Sequence, residues 1–442
     1  SPRKRPVLSM QIALVIHDYL PDHLGGSELH THQLAQEWQR RGHRVTVWCT
    51  ERDTRRPEGD LLRREFEGVP VRELIHQREY AQLCESYAPR VQPRVFAALL
   101  AEERPDLVHF HHFAHWGAEC AVLARRSGAA VVATLHDYFA LCQAATLLKR
   151  DRSLCDDWRE PTCTDCLEYL PTPLEPAESG HPDEKLLYRL RLVRAGRTRR
   201  DLFRRALEQV HELVSPSAYL RARYLEVGLG RPERFSVLRT GYPGPAAAAR
   251  PIPRDRPLRV GYCGGIYPSK GVHVLVEAAT RVAPGLVEVE VHGALDWFKD
   301  YVAELRSLAG DAAVRFQGPY DPHRVDEILQ RFDLLVVPSI WYENMPITIN
   351  EAFRNAVPVL TSDHGGMAEA VEEGRGGGRF RAGSARHLAE RLTELARDRS
   401  ILERWAAARP PVQSLGECAD GLERIYARAL ASARAAREGA QP

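Results

Sequence analysis

The sequence predicts an α/β protein of two domains, each a parallel sheet with crossover helices, and three observations lead there. The chain has 442 residues, beyond the size at which a single hydrophobic core stops growing. Short apolar runs alternate with helical stretches, the order a parallel sheet requires. That alternation starts twice, at Gln11 and again at Leu258, and each time a glycine-containing loop follows the first strand. With 44% hydrophobic and 27% charged residues the chain can fill such cores, which argues against disorder in spite of 30 prolines.

Charge narrows the function classes. Against 59 acidic residues stand 61 basic ones, a formal net of +2, so no overall field favours a nucleic-acid backbone and no nucleic-acid partner is expected. The basic run Arg3-Lys4-Arg5 precedes only the apolar Ile12 to Ile16, too short for a signal-peptide core or a spanning helix. Cytoplasmic residence without a transmembrane span is therefore the expectation. Nine cysteines are too sparse for a disulfide scaffold, although Cys142, Cys155, Cys163 and Cys166 cluster.

In the first half, Gln11 to Ile16 reads as a strand, Ser27 to Arg41 as a helix and Arg44 to Cys49 as the next strand. Gly25-Gly26 lies in the first loop, where glycine lets backbone approach a ligand, and Ser27 is the expected helix cap. Amides at that helix start would face an anionic group. Leu107 to Phe110 and Ala130 to Leu135 read as buried strands ending at His111-His112 and His136-Asp137. Ligands of open parallel sheets gather beyond such carboxyl ends, which singles out His136 among the 18 histidines. It is suited to a sugar hydroxyl or a departing phosphate, or to a structural bond to its own loop. His109, His111, His112 and His115 are spaced too loosely along a strand end and loop to define a metal set.

The second half repeats the grammar. Leu258 to Cys263 reads as a strand, Gly264 to Gly271 as a loop carrying Lys270, and a helix begins near Val272. Val287 to His292 and Asp333 to Pro338 are further strands. The stretch Pro338 to Ala352 then places Glu343 in a loop and Glu351, eight positions on, near a helix start. The two carboxylates can address different parts of one ligand, or lie solvated on a helix and a loop. Glu351 can accept from neighbouring ribose hydroxyls and Glu343 from sugar hydroxyls, while amides around Asn344, Met345, Pro346 and Ile347 meet phosphate or sugar oxygen.

Together the glycine pair, the His136-Asp137 strand end, Gly264 to Gly271 and the Glu343/Glu351 spacing resemble the retaining glycosyltransferases of the large family 4. The resemblance runs from Gln11 through Tyr426 and includes Pro358 to Ser362 and Gly365 to Glu369. It implies the GT-B fold, two Rossmann-like domains facing an interdomain cleft, with a first domain over 10–240, a second over 256–410 and a terminal helix over 415–437 crossing back to the first. It also implies that Gly25 and Gly26 approach the donor phosphates, His136 contacts the transferred sugar, Lys270 stabilises the diphosphate, Glu343 addresses sugar hydroxyls and Glu351 grips the ribose. His136, Lys270 and Glu343 form the expected catalytic set. One position departs: Gly265 stands where many relatives carry arginine.

The activity implied is transfer of a sugar from a nucleotide-diphosphate donor, a UDP- or GDP-sugar, to an acceptor hydroxyl with retained configuration, in glycan, glycolipid or natural-product biosynthesis. No redox cofactor and no catalytic divalent metal are implied, and opening and closing of the cleft is expected to admit donor and exclude water. A phosphorylase or hydrolase of the same fold and a noncatalytic sugar-nucleotide sensor are the alternatives. The four clustered cysteines are candidate ligands of a structural zinc holding an insertion over 142–182, with disulfides or unlinked thiols as the alternatives. Lys185 to Arg205, with nine basic residues in 21 positions, either touches anionic lipid at the inner face of a membrane or packs one face on the first domain; the second is the expectation.

Overall fold

The structure, a computed structural model, describes residues 9–77, 87–149, 151–156, 163, 166 and 182–439. Most of the 142–182 insertion and the run Arg3-Lys4-Arg5 lie outside the described residues. The first sheet comprises β1 (Gln11–Val15), β2 (Arg44–Arg52), β3 (Leu61–Phe66), β4 (Val69–His76), β5 (Leu107–Phe110), β6 (Ala130–Thr134), β7 (Glu212–Ser215) and β8 (Phe235–Val237) in the order β3-β4-β2-β1-β5-β6-β7-β8. Only the β3–β4 pair is antiparallel. Ile12 to Val15 are fully buried between β2 and β5, which is why β1 is an unbroken apolar run instead of an alternating one. The edge strand β3 carries exposed Arg63 and Glu65, charges that discourage pairing with another chain. Its helices are α1 (Gly26–Arg40), α2 (Gln92–Glu103), α3 (Glu119–Arg126), α4 (Pro182–Gln209) and α5 (Ala218–Glu226).

The second sheet, in the order β11-β10-β9-β12-β13-β15-β14, is built from β9 (Leu258–Cys263), β10 (Val287–His292), β11 (Val314–Gly318), β12 (Leu334–Val337), β13 (Val359–Ser362), β14 (Glu372–Glu373) and β15 (Gly376–Phe380). Its helices are α6 (Val272–Arg281), α7 (Lys299–Ala309), α8 (Val325–Leu329), α9 (Ile347–Arg354), α10 (Gly365–Ala370), α11 (Ala385–Arg397) and α12 (Ser400–Ala407). Helix α6 turns Val272, Leu275, Val276 and Ala279 into the second core, an apolar stripe at helical spacing.

The strand orders fix where ligands can sit. In the first sheet the chain leaves β1 toward β2 on one side and β5 toward β6 on the other, so the loops after β1 and β5 diverge and open a crevice. In the second sheet the same divergence falls between β9 and β12. The first crevice carries Gly25, Gly26, His111 and His112; the second carries Lys270 and Glu343.

The last helix, α13 (Leu415–Glu438), returns to the first lobe. Ser414 and Glu417 form a reciprocal capping box at its start, which satisfies two otherwise orphaned amides. Leu422, Ile425, Tyr426, Ala429 and Ala433 are buried, and Arg41 of the first lobe pairs with Asp420 at 2.8 Å and Glu423 at 2.9 Å. The outgoing and returning linkers meet: Tyr242 N donates to Gln413 O and Leu415 N to Tyr242 O, both at 3.0 Å.

Helix α4 buries Leu192 and Phe203 against the first core, while Leu186, Leu187 and Leu190 near its start are exposed. Among the described residues no helix is long and apolar enough to cross a membrane. One local expectation is corrected. Helix α1 begins at Gly26 with Gly25 as its N-cap, because the Ser27 hydroxyl donates instead to Glu28 Oε2 at 2.9 Å and is not directed at the helix amides.

Candidate active site

At the second crevice Lys270 Nζ donates to Glu343 Oε1 at 2.7 Å, and Ser339 Oγ donates to the same oxygen at 2.7 Å. Lys270 also lies over the rings of Trp341 and Tyr267, 5.3 and 5.7 Å from their centroids, a position favourable to a cation. Burial works against its ammonium, but the Glu343 carboxylate outweighs it and holds the lysine pKa above its ordinary value. Lys270 is thus a fixed positive charge. Its side chain keeps 21% of its surface exposed against 7% for Glu343, so the lysine is the partner an anion can reach.

Gly265 accepts a hydrogen bond on its carbonyl from Tyr262 Oη at 2.7 Å. A Cβ there would lie 2.3 Å from the Tyr267 ring. The space above this position is occupied by Tyr267, whose ring in turn contacts Phe298 at 5.8 Å.

Glu351 lies on α9, buried, in a cavity of ≈ 280 Å³ between the lobes that Leu29 and His30 of α1, Tyr242, Arg354 and Ile347 also line. Burial pushes its carboxyl up to about 7, with Arg354 only partly opposing the shift. Pro346 is the N-cap of α9 and Ile347 its first residue; proline has no N–H, so the amides offered at this helix start are those of Ile347 and Thr348. Gly25 and Gly26 reach this site from the other lobe. A Cβ on Gly26 would stand 2.5 Å from Ile347 Cδ1, so the glycine permits the start of α1 to meet the start of α9.

Two side chains of the 343–347 stretch are engaged within the protein. Asn344 Nδ2 donates to the backbone carbonyl of His136 at 3.0 Å and its Oδ1 accepts from Ser217 Oγ, so its side chain ties the two lobes together. Met345 packs into the second-lobe core. Glu369 adds a second tie: its carboxylate accepts from Ala218 N at 3.0 Å and Tyr219 N at 2.8 Å at the start of α5, a charge-favoured cap. Gly366 holds the Glu343 loop in place. Its N–H donates to Glu343 O at 2.7 Å, and a Cβ on it would fall 1.3 Å from Asn344 O. Gly366→Ala is expected to displace this loop and cost about 1–3 kcal/mol of stability with a large loss of activity; thermal melting and turnover check it, and near-unchanged values for both would contradict the assigned contact.

In the first crevice His136 Nε2 lies 3.2 Å from His111 Nδ1, with the two rings stacked. Burial, with His30 and His112 adding to it, pulls His136 down to about 3. The ring is neutral and fit for a hydrogen bond, not for supplying a positive charge to a phosphate. His30 is likewise held down, to about 4, by burial. His112 is the exception: burial disfavours its charge, but Asp137 at 3.1 Å and Glu28 raise its pKa above the ordinary value. Below them His109 bonds Thr134 at 2.8 Å and Tyr426 of α13 at 2.7 Å.

Sequence reading missed His30 and Glu28, and placed His112 at a strand end without assigning it a role. Glu28 sits in the first turn of α1, 3.2 Å from His17 Nε2, with its carboxyl raised chiefly by burial. An acidic residue two positions beyond a glycine pair was the available signal. The four clustered cysteines, Cys142, Cys155, Cys163 and Cys166, are half-buried, and Cys142 and Cys155 rest against the first core. The part of the insertion that is described touches the second lobe, where Tyr342 Oη donates to Asp156 at 2.9 Å and Arg152 lies over the Tyr301 ring.

Two doubly wound lobes, with a lysine–glutamate pair at one switch point and a glycine-opened helix start at the other, define the GT-B architecture. Residues 24–243 match the model of Glycosyltransferase Family 4 and residues 257–398 that of Glycosyl transferases group 1, and the chain belongs to glycosyltransferase family 4. It is 32% identical over 212 residues to the D-inositol 3-phosphate glycosyltransferase of Nocardia farcinica, covering 45% of this chain and 47% of that one. To the glycogen synthase of Mycobacterium tuberculosis H37Rv it is 33% identical over 174 residues, 37% of this chain and 40% of the relative. The chain spans about half the length of the curated relatives it matches. Among solved structures, Anabaena Alr3699/HepE in complex with UDP and glucose superposes with a TM-score of 0.60 at 17% identity, covering 97% of this chain and 100% of that one. The catalytic domain of starch synthase IV from Arabidopsis thaliana, bound to ADP and acarbose, gives 0.62 at 17% identity, covering 96% and 100%.

Proposed function

We propose that the chain transfers a sugar from a nucleotide diphosphate, a UDP- or GDP-sugar, to an acceptor hydroxyl with retention of configuration, as a step in carbohydrate biosynthesis. The observation that carries this reading is the meeting of the glycine-opened start of α1 with the start of α9 over the cavity that holds Glu351. Ribose hydroxyls donate to Glu351, the diphosphate lies against the amides at Gly25 and Gly26 and the ammonium of Lys270, and neutral His136 hydrogen-bonds a hydroxyl of the transferred sugar. The bond from the anomeric carbon to the phosphate oxygen breaks as the acceptor oxygen attacks the same face. The departing phosphate oxygen takes the acceptor's proton, and Lys270 stabilises the charge that develops there. Glu343 has one oxygen committed to both Lys270 and Ser339, which favours an orienting role over that of a covalent nucleophile. In this reading the cysteines brace the insertion through a structural zinc.

A screen of UDP-, GDP-, ADP- and dTDP-linked sugars, with the anomeric configuration of product read by NMR, tests the proposal. Retained transfer to an acceptor is the expected result. Sugar released onto water or phosphate regardless of acceptor would identify a hydrolase or phosphorylase, and tight donor binding with no turnover a sensor.

A further inference from the structure

A second cluster sits at the carboxyl edge of the first sheet, away from the lysine–glutamate pair. Asp18 lies in the loop after β1, His76 is the last residue of β4, and His115 lies in the loop after β5. One oxygen and two imidazole nitrogens from these three residues all fall within 4.8 Å of one another. The His76 and His115 rings stack with centroids 4.4 Å apart at 21°. His115 holds a backbone φ of +64°, a conformation that a non-glycine residue adopts at a cost and keeps only where its surroundings impose it.

We infer that Asp18, His76 and His115 form a binding site for a Zn²⁺-class divalent cation. Two imidazoles and one carboxylate suit zinc and its first-row neighbours; magnesium and calcium prefer all-oxygen shells. Ligands about 2.1 Å from a tetrahedral ion stand roughly 3.4 Å from each other, so donors that lie within 4.8 Å of one another need to close by at most about 1.4 Å. Beside Asp18, His23 Nδ1 lies 3.9 Å from Asp18 Oδ2, within reach of charge attraction but not of a hydrogen bond, and its Nε2 is 2.8 Å from Glu51 Oε2. Three protein ligands leave one position for water.

The three ligands come from three separate chain segments, so an ion there would clamp the loops after β1 and β5 to the end of β4. Those loops also carry His17 and His112, whose rings are 4.2 Å apart, and His112 is bonded to Asp137 beside His136. The cation would thus set the first-lobe side of the crevice without touching the donor site, and the inference stands whether or not the chain transfers sugar.

Cobalt substitution tests it. The metal-stripped chain is titrated with Co²⁺ and followed in the visible and near-ultraviolet, where nitrogen–oxygen sites give weak d–d bands and thiolate sites give intense charge transfer. One equivalent is expected to produce the weak bands, to be displaced by Zn²⁺, and to raise the melting temperature with Co²⁺ concentration. His115→Ala and Asp18→Asn, made separately, should each weaken the binding that gives these bands by more than about tenfold and leave unchanged any thiolate band from the cysteines. Absence of the weak bands in the unmodified chain, or bands that both folded variants retain at the original affinity, would overturn the assignment.

Discussion

Replacing Lys270 with alanine is expected to lower turnover by at least about 10²-fold, because the fixed positive charge at the departing diphosphate is lost. It also leaves Glu343 buried without its cation, at a cost of about 3 kcal/mol. The two effects separate in the double variant Lys270→Met/Glu343→Gln, which removes both charges at nearly constant volume. Its stability should return to within about 1 kcal/mol of the starting protein while turnover stays low. A Lys270→Ala chain that keeps its turnover, or a double variant that regains it, would reduce the lysine to a structural partner.

Glu351→Ala is expected to weaken donor binding by about 10- to 100-fold, the worth of hydrogen bonds from two ribose hydroxyls to a charged acceptor, with a smaller effect on the chemical step. The pH dependence gives a sharper signature. Burial raises the Glu351 carboxyl from 4.5 to about 7 in the folded protein, so the folded chain holds a proton that the unfolded chain releases. The stability this group contributes is therefore full below about pH 4.5 and is lost as pH rises through 7. Donor affinity moves the other way, since the ionised carboxylate is the better acceptor: binding should strengthen as pH rises through about 7. Glu351→Gln should flatten that rise, and calorimetric titration between pH 6 and 8 reads it directly. Equal pH profiles in the two proteins would remove Glu351 from the ribose.

How legible these features were depended on whether the determining contacts were local. Leu258–Cys263 and Val287–His292 have the boundaries the sequence suggests: Val287, Val289 and Val291 are buried and alternate with half-buried Glu288 and Glu290, the period of a strand, and in Leu258–Cys263 a mostly buried run is broken only by exposed Arg259. The β3–β4 hairpin was missed, since its edge position lets charged residues interrupt the pattern. Lys270 and Glu343 were both legible as separate motifs, but their ion pair follows from β9 and β12 being neighbours across a switch point, a fact of topology. Asn344 was read only for its backbone amide at the head of α9; the side chain's partners Ser217 and His136 are more than a hundred residues away and leave no local trace. The Asp18, His76 and His115 cluster was hidden for the same reason: His115 was weighed with its sequence neighbours His109, His111 and His112, while Asp18 and His76, from other segments, were not. At Gly265 the departure was visible from sequence, whereas its filling by Tyr267 needed coordinates.

The joined linkers carry a mechanical consequence. Two independent covalent connections would ordinarily permit twist as well as bend, yet here Tyr242 is hydrogen-bonded to both Gln413 and Leu415, and a Cβ on Gly241 would meet Ser414 O at 2.6 Å. The pair is expected to act as one axle, with the lobes turning about a single axis. Fluorophores placed across the cleft should accordingly report distances that vary along one coordinate, with every labelled pair changing in step when nucleotide is added. Pairs that moved independently would show that the axle slips.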